Sequence, residues 1–197
     1  MILFINACVR KVSRTKKLAD YLLSQTVEQI EEVKLSEIEF PVVDEKFLSM
    51  RDRLISEQKF NNPMFDFAQQ FAQADKIVIA APYWDLSFPA VLKQYFEQIN
   101  VLGVTFSYSP EGVPVGLCKA KKLYYVTTAG GNFVPEEYGY GYVKALAESF
   151  YGITDIELIK AVGLDMENAD EAAAMLHEMS TVGVTMARSE ERRVGKE

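Results

Sequence analysis

Hydroxyl and basic side chains gather in the first loop of the chain, NACVRKVSRTK, which follows an apolar N-terminal run. Arg10, Ser13 and Thr15 lie there directly before a segment with helical periodicity. A helix start presents unpaired backbone N–H groups and a partial positive charge, so a phosphate group can bind there. Ser13 could also act only as the helix cap, but a cap needs neither Thr15 nor the basic residues. The loop therefore indicates a phosphate site, although it matches neither GxGxxG nor GxxxxGK[ST].

Aromatic side chains characterise a second loop, APYWDLSFPA, which follows the continuous apolar run KIVIA. Tyr83 and Trp84, which follow Pro82, are costly to leave in water, and a planar ring system would cover them. Asp85, or Ser87 near it, could cap the following helix. The loop indicates the binding wall of a flat ligand. The alternative, aromatic residues as ordinary core filling, stays open.

Two consecutive glycines mark a third loop, TTAGGNF. Gly130 and Gly131, which follow Thr128, allow backbone N–H groups to approach a ligand closely. Such donors would stabilise negative charge that develops on a pyrimidine-like ring. Because Gly-Gly is also common in simple turns, this loop supports a ligand site only together with the other two.

Strand and helix patterns alternate along the chain and would bring these loops together. Short runs typical of strands occur at 2–5, 32–35, 76–81, 123–128 and 156–162. Helical periodicity predicts helices at 14–30, 44–60, 64–74, 89–100, 142–151 and 169–186. An alternating segment with a turn predicts an antiparallel excursion at 104–117. Five β-α units in series imply a parallel sheet with helices on both faces, and such sheets bind ligands at the carboxyl ends of their strands.

Composition argues against several classes of protein. The 197 residues are 49% apolar, which is enough for one buried core and short for two domains. We expect no membrane span, because no apolar run is long enough, and no nucleic-acid partner, because the net charge is −7. Cys8 and Cys118 are too few for a disulfide framework, so we expect a cytoplasmic protein. A single histidine cannot build a zinc site, and we expect no metal.

The last ten residues, 188–197, read RSEERRVGKE and have almost no apolar content. They resemble the translation of a common sequencing adapter. We therefore expect one domain over 1–187 and a non-native tail over 188–197.

Taken together, the three loops resemble those of the FMN-dependent NAD(P)H quinone reductases and azoreductases, which have a flavodoxin-like fold. The resemblance covers about residues 1–187 and rests on SRT, APYWDLSFPAVLKQYF, GVTFSYSPEGVPVGL, TTAGGNF and SFYGITD. It implies a three-layer α/β sandwich whose five-stranded parallel sheet has the order 2-1-3-4-5. It also implies a homodimer that binds FMN and takes electrons from NADH or NADPH.

The resemblance assigns roles in FMN binding to residues of all three loops. Arg10, Ser13 and Thr15 would bind the FMN phosphate. Four residues of the second loop would pack against the isoalloxazine ring: Pro82, Tyr83, Trp84 and Asp85. Three residues of the third loop would lie against its pyrimidine end: Thr128, Gly130 and Gly131.

The acceptor side of the pocket is assigned in the same way. Tyr108 and Phe150 would line it, and in this family part of the pocket comes from the partner chain. The family often has Asn, Phe and Arg where this chain has Asp85, Leu86 and Ala129. These departures change the local charge and remove one stacking wall.

The resemblance further implies a ping-pong reaction. NAD(P)H would reduce the flavin, which would pass two electrons to a quinone, azo or nitroaromatic acceptor, and no catalytic side chain is expected. The alternative is a flavodoxin-type electron carrier, which would have a compact hydroxyl-rich phosphate loop and no GVTFxY hairpin. A receiver domain would need an acidic pair after the first strand, where this chain reads Asn6-Ala7-Cys8.

One further motif, YGYGY at 138–142, lies near the third loop. Its alternation is typical of a strand-like structural segment. The alternative is a mobile lid over the flavin.

Overall fold

Strands and helices alternate in the computed structural model, which describes residues 1–167, 170 and 173–181. The strands are β1 (Ile2–Asn6), β2 (Ile30–Lys34), β3 (Lys76–Ala80), β4 (Phe106–Tyr108), β5 (Pro114–Gly116), β6 (Lys122–Thr128) and β7 (Asp155–Ala161). The helices are α1 (Arg14–Ser24), α2 (Glu45–Ser56), α3 (Asp66–Gln73), α4 (Ala90–Ile99) and α5 (Tyr140–Leu146). Short 3₁₀ turns cover Leu35–Glu37 and Pro63–Phe65, a π-helical turn Ala147–Tyr151 continues α5, and residues 173–181 are helical.

Five strands form one parallel sheet in the order β2-β1-β3-β6-β7, and β4 pairs with β5 in an antiparallel hairpin. The predicted order 2-1-3-4-5 and the predicted excursion are both confirmed. Each parallel connection is long enough to hold a helix, which is why neighbouring strands can run in the same direction.

Alternate residues of the central strands pack against opposite helical layers. In β1, Ile2 and Phe4 join the cluster that contains Leu18 of α1, whereas Leu3 and Ile5 join the cluster under α3 and α4. A strand buried on both faces needs a continuous apolar run, as β1 and β3 have. Each fully buried Leu or Ile contributes about 1.5–3 kcal/mol, so both layers are held firmly against the sheet.

Helix α1 ends at Ser24 and not at residue 30, so it is shorter than predicted. The Gln25 N–H still bonds to the helix, but Ile30 already pairs with Ile2 of the neighbouring strand. Val27 between them is fully exposed. Strand pairing therefore overrides the helical periodicity over the last turn.

The YGYGY segment is helical in part, so its interpretation as a strand is wrong. Tyr140 and Tyr142 belong to α5, where Tyr140 packs on Tyr125 and Tyr142 packs on Phe88. Tyr138 precedes the helix and is 61% exposed. The aromatic rings anchor α5 to the core, and its glycines belong to the helix start.

The hairpin β4–β5 lies against the π-helical turn with almost no space between the backbones. A Cβ atom on Gly116 would lie 2.1 Å from the backbone nitrogen of Gly152. Gly152 itself has a φ of +71°, which ends the helical segment in the left-handed conformation. Glycine is required at 116 by close approach of two backbones.

Two predictions reach beyond the described residues. The closing helix was predicted over 169–186, of which residues 173–181 are described and helical. The tail over 188–197 lies outside the described residues. Among the described residues, no helix is both long enough and apolar enough to cross a membrane.

We expect Gly116→Ala to lower the free energy of unfolding by about 1–3 kcal/mol, because the methyl group must displace backbone and not a flexible side chain. Gly131→Ala is the control, since its Cβ would meet nothing within 4 Å, and it should change stability by less than about 0.5 kcal/mol. Urea unfolding followed by circular dichroism measures both. Equal stability of the two variants would contradict the packing of the hairpin described above.

Candidate functional site

The loops after β1, β3 and β6 meet at the carboxyl edge of the sheet and line a cleft of about 270 Å³. One residue of the loop after β7 joins them. The lining residues are Val9, Arg10, Val12, Ser13, Arg14, Thr15, Pro82, Tyr83, Trp84, Thr128, Gly130 and Asp165. The structure thus brings together eight of the ten residues predicted to bind a cofactor, and Asp85 and Gly131 are the two that do not line the cleft.

A buried asparagine at the end of β1 sets the course of the first loop. Asn6 is fully buried; its Nδ2 donates to Glu32 Oε1 at 2.8 Å, and its Oδ1 accepts from the Cys8 N–H at 2.9 Å. Both ends of the amide are therefore satisfied, as burial requires. These two hydrogen bonds fix the direction in which the loop leaves the sheet towards the start of α1.

Ser13 caps α1, as one of the two sequence interpretations held. Its Oγ accepts from the Lys16 N–H at 3.2 Å, and its backbone is extended, as is typical of a cap. Ser13 also lines the cleft, so capping and ligand binding do not exclude each other. The positive end of the α1 dipole faces the same space.

A pair of buried hydroxyls joins α1 to the end of β6. Thr15 Oγ1 and Thr128 Oγ1 lie 2.7 Å apart, and both residues are more than nine-tenths buried. Each hydroxyl has one hydrogen to donate, and the mutual bond uses only one of them. The pair can therefore still donate one hydrogen bond to a ligand in the cleft.

Arg14 and Asp165 form an ion pair that the sequence analysis missed. Arg14 Nη1 donates to Asp165 Oδ1 at 2.8 Å and to the Leu164 carbonyl at 3.2 Å. The hydrogen bond and the charge of Arg14 lower the pKa of the Asp165 carboxyl, and Arg10 adds a smaller effect. The signal that could have found it is the position of the loop, which follows the fifth parallel strand at the same edge as the other three.

The third loop and the loop after β7 are joined by backbone hydrogen bonds. The N–H groups of residues 163, 164 and 165 donate to the carbonyls of residues 131, 129 and 130, at 3.0, 3.2 and 2.9 Å. A Cβ atom on Gly130 would lie only 2.0 Å from Asp165 Oδ2. Glycine at 130 thus makes room for a carboxylate, which the sequence interpretation did not foresee.

The second loop contains a tight reversal of the chain at Asp85 and Leu86. Their φ angles are +50° and +66°, and the backbones of Trp84 and Ser87 exchange hydrogen bonds of 3.1 and 2.7 Å. Two positive φ angles between paired residues are typical of a type I′ turn. Leucine is strained in this conformation, where glycine is the usual residue.

Neither Asp85 nor Ser87 caps α4, so that prediction is wrong. The cap position of α4 is Pro89, and no side chain accepts a hydrogen bond there. The turn at residues 85 and 86 reverses the chain before it reaches the helix. Ser87 Oγ donates instead to the Tyr138 carbonyl at 2.7 Å.

Tyr83 and Trp84 form one wall of the cleft and are not core filling. The Tyr83 N–H donates to the Thr128 carbonyl at 3.1 Å, and its hydroxyl donates to the Pro135 carbonyl at 3.4 Å. Burial, with a contribution from Glu137, raises the pKa of the Tyr83 phenol. The phenol therefore stays protonated at neutral pH, and Trp84 remains 36% exposed beside it.

Known proteins match this chain over nearly its full length. The family model described as Flavodoxin-like fold matches residues 1–182. The chain belongs to this flavodoxin-like family. An FMN-dependent NADH:quinone oxidoreductase of Lachnoclostridium phytofermentans is 36% identical over 181 residues, covering 87% of this chain and 90% of that protein. A protein of the same name from Clostridium perfringens is 35% identical, covering 95% of this chain and 96% of that protein.

Solved structures of azoreductases are similar to this flavodoxin-like chain. An azoreductase from Bacillus anthracis has a TM-score of 0.81 at 26% identity, covering 93% of this chain and 97% of that chain. An FMN-dependent NADH-azoreductase from the same species, in complex with FMN, has a TM-score of 0.79 at 26% identity and covers 95% and 97%.

In this flavodoxin-like protein, the two residues predicted to line the acceptor pocket lie together but do not line the cleft. Phe150 stacks on Phe106 with ring centroids 4.5 Å apart and planes at 13°. Tyr108 meets Phe106 edge-on at 5.5 Å and 87°. We call these three rings the hairpin cluster.

Among the described residues, no group of three or more His, Cys, Asp or Glu is placed to bind a metal.

We expect Thr15→Val to lower the free energy of unfolding by about 1–3 kcal/mol, because Thr128 Oγ1 loses its partner in a buried position. Thr15→Ser keeps the oxygen and should cost clearly less. Urea unfolding of the two variants and of the wild-type protein measures the difference. A loss of stability in Thr15→Ser with none in Thr15→Val would mean that the methyl group, and not the hydroxyl, stabilises the contact.

Proposed function

We propose that the protein is an FMN-dependent NAD(P)H oxidoreductase that transfers two electrons to a quinone, azo or nitroaromatic acceptor. The observation that carries the proposal is one cleft with two chemically different ends. Hydroxyl and arginine side chains at the start of α1 suit a phosphate, and Tyr83 and Trp84 suit a flat ring system. The relatives named above share this cofactor in their names and cover almost the whole chain.

Three residues of the first loop, together with the first turn of α1, would hold the FMN phosphate. A phosphate monoester carries about −1.5 to −2 charge at pH 7. Arg10 supplies an opposite charge, Ser13 lines the same space while it caps the helix, and the Thr15–Thr128 pair has one hydrogen bond left to donate. Charged and hydrogen-bonding groups at a helix start are the donors that such a group needs.

The ring end of the cleft would position the isoalloxazine and exclude water from it. Pro82, Tyr83 and Trp84 form the wall, and Thr128, whose carbonyl accepts from the Tyr83 N–H, lines the cleft beside them together with Gly130. We retain Asp85 and Gly131 as proposed contacts, since each adjoins a residue of the cleft in the chain. When bound, FMN supplies the hydride and electron chemistry, so the chain itself has to bind, orient and shield it.

The reaction is tested with purified protein. Flavin absorption bands and steady-state oxidation of NADH or NADPH with a soluble quinone are the expected results. A flavodoxin-type carrier would bind FMN but would not sustain this oxidation, so flavin bands without turnover would overturn the enzymatic proposal.

We expect the double substitution Arg10→Ala with Ser13→Ala to weaken FMN binding at least roughly tenfold, because charge-assisted hydrogen bonds contribute about 1.5–3 kcal/mol. Fluorescence titration of FMN measures the affinity. Lys11→Ala is the control for lost charge, since Lys11 lies in the same loop but does not line the cleft. Asp44→Ala is the control for a lost cap, since Asp44 caps α2. Unchanged FMN affinity in the double variant would contradict the phosphate assignment.

We also propose that the active unit is a homodimer formed through the hairpin face. We define this face by three exposed side chains at alternate positions of the β4–β5 hairpin, which are 45–58% exposed: Val113, Val115 and Leu117. Contiguous exposed apolar side chains are typical of a protein interface. The hairpin cluster takes two of its rings from the same hairpin and does not line the chain's own cleft, as expected if it served the cleft of a partner.

We expect Val113→Glu with Val115→Glu to give a monomer and to abolish acceptor reduction while FMN remains bound. The charges would prevent burial of the hairpin face. Sedimentation velocity coupled to the quinone assay measures both properties. Val27→Glu is the control, since Val27 is fully exposed between α1 and β2. A fully active monomer would refute the dimer.

We place the protein in the cytoplasm. Cys8 and Cys118 are free and buried, and burial raises the pKa of both thiols. Thiols of this kind suit a reducing compartment.

A further inference from the structure

One acidic side chain lines the end of the cleft where the proposed function places a phosphate. The Asp165 side chain is 67% exposed and lies among the cleft residues with Arg10, Ser13 and Thr15. A carboxylate beside a phosphate site is unfavourable by Coulomb repulsion. The fold alone does not explain why an acidic side chain lies at this end of the cleft.

Asp165 is held in this position independently of any ligand. Its N–H donates to the Gly130 carbonyl, and its Oδ1 accepts from Arg14 at 2.8 Å. Its Oδ2 lies close over Gly130, where any Cβ would collide with it. The carboxylate is therefore a built feature of the cleft wall.

The ion pair changes the charge that a ligand meets. Among the described residues that line the cleft, the charged ones are Arg10, Arg14 and Asp165, and their charges sum to +1. The Arg14 guanidinium lowers the pKa of Asp165, so the carboxylate is ionised at neutral pH. Removal of the Asp165 charge would raise this sum by one.

Resting on the proposed function, we infer that Asp165 is a specificity residue that limits the preference of the cleft for phosphorylated over unphosphorylated flavin. It cancels much of the charge of Arg14 at the phosphate end, so that Arg10, the helix start and the hydroxyl pair do most of the binding. The uncharged ribityl and ring contacts are left as they are. FMN and riboflavin share these contacts and differ in the phosphate alone.

Asp165→Asn isolates this charge. The amide keeps the shape and an oxygen that can accept from Arg14, and the backbone hydrogen bonds of residues 163–165 do not involve the side chain. Asp155→Asn is a matched control: Asp155 lies at the opposite end of β7, is also 67% exposed, and also accepts from a basic side chain at 2.8 Å. Both variants change the net charge of the protein equally.

The experiment is fluorescence titration of FMN and of riboflavin into the apoprotein at low and high salt. We expect Asp165→Asn to tighten FMN binding roughly three- to tenfold at low salt, less at high salt, and to leave riboflavin unchanged. Asp155→Asn should change neither ligand. Should Asp165→Asn fail to fold in thermal melts, Asp165→Ser removes the same charge and has the same expected result.

The outcomes separate the two proposals. Wild-type protein that binds neither flavin overturns the proposed function, and this inference with it. Wild-type protein that prefers FMN, with the same preference in the charge-removing variant, overturns this inference alone. Equal tightening of FMN and riboflavin also overturns it, because the effect would then not involve the phosphate.

Discussion

The cleft depends on a backbone hydrogen-bond ladder that continues one residue beyond the strands. The N–H groups of Ala7, Ala81 and Ala129 donate to the carbonyls of residues 80, 126 and 161. Each of these alanines is buried directly after its strand. Because the parallel strands are paired in register, three loops leave the sheet at one level, and the small side chains let them approach each other. This register brings the loops of the cleft together, and contacts such as the Thr15–Thr128 hydroxyl pair then join them.

The sheet and the position of its loops could largely be predicted from the sequence, because the central strands have a recognisable apolar pattern. A strand buried on both faces must be apolar throughout, and the run KIVIA of β3 is typical of such a strand. Strands in series with helices imply a common carboxyl edge, so the loops could be located without knowing any contact. All three loops lie at this edge, as predicted, for this reason.

The remainder required contacts that no local pattern encodes. Arg14 and Asp165 are 151 positions apart, although the pair lies at the same sheet edge as the predicted loops. Helix α1 ends early because Ile30 pairs with Ile2, a competition that periodicity cannot express. The reversal at Asp85 and Leu86 lacks the Asn-Gly or Asp-Gly pair that usually indicates a type I′ turn.

The two ends of the cleft are stabilised by different physical effects. At the ring end, Tyr83 is fixed through its backbone to Thr128, and a strained turn follows at Leu86, so the wall is rigid before a ligand arrives. At the end proposed to bind the phosphate, charges of opposite sign lie within one wall and partly cancel. A surface that is already ordered binds a ligand more tightly, because no conformational entropy is lost on binding. Partly cancelled charges have the opposite effect, because they weaken the attraction of a charged ligand.

A steric constraint determines the charge at the phosphate end. The Asp165 carboxylate occupies the volume that any side chain at position 130 would need, since a Cβ there would lie 2.0 Å from Oδ2. Backbone hydrogen bonds between the two loops keep the residues at this distance. Any larger residue at 130 would have to displace the carboxylate, and displacement would break its hydrogen bond with Arg14. Glycine at 130 therefore affects the proposed ligand site because it leaves room for the Asp165 carboxylate, in addition to any contact of its own backbone.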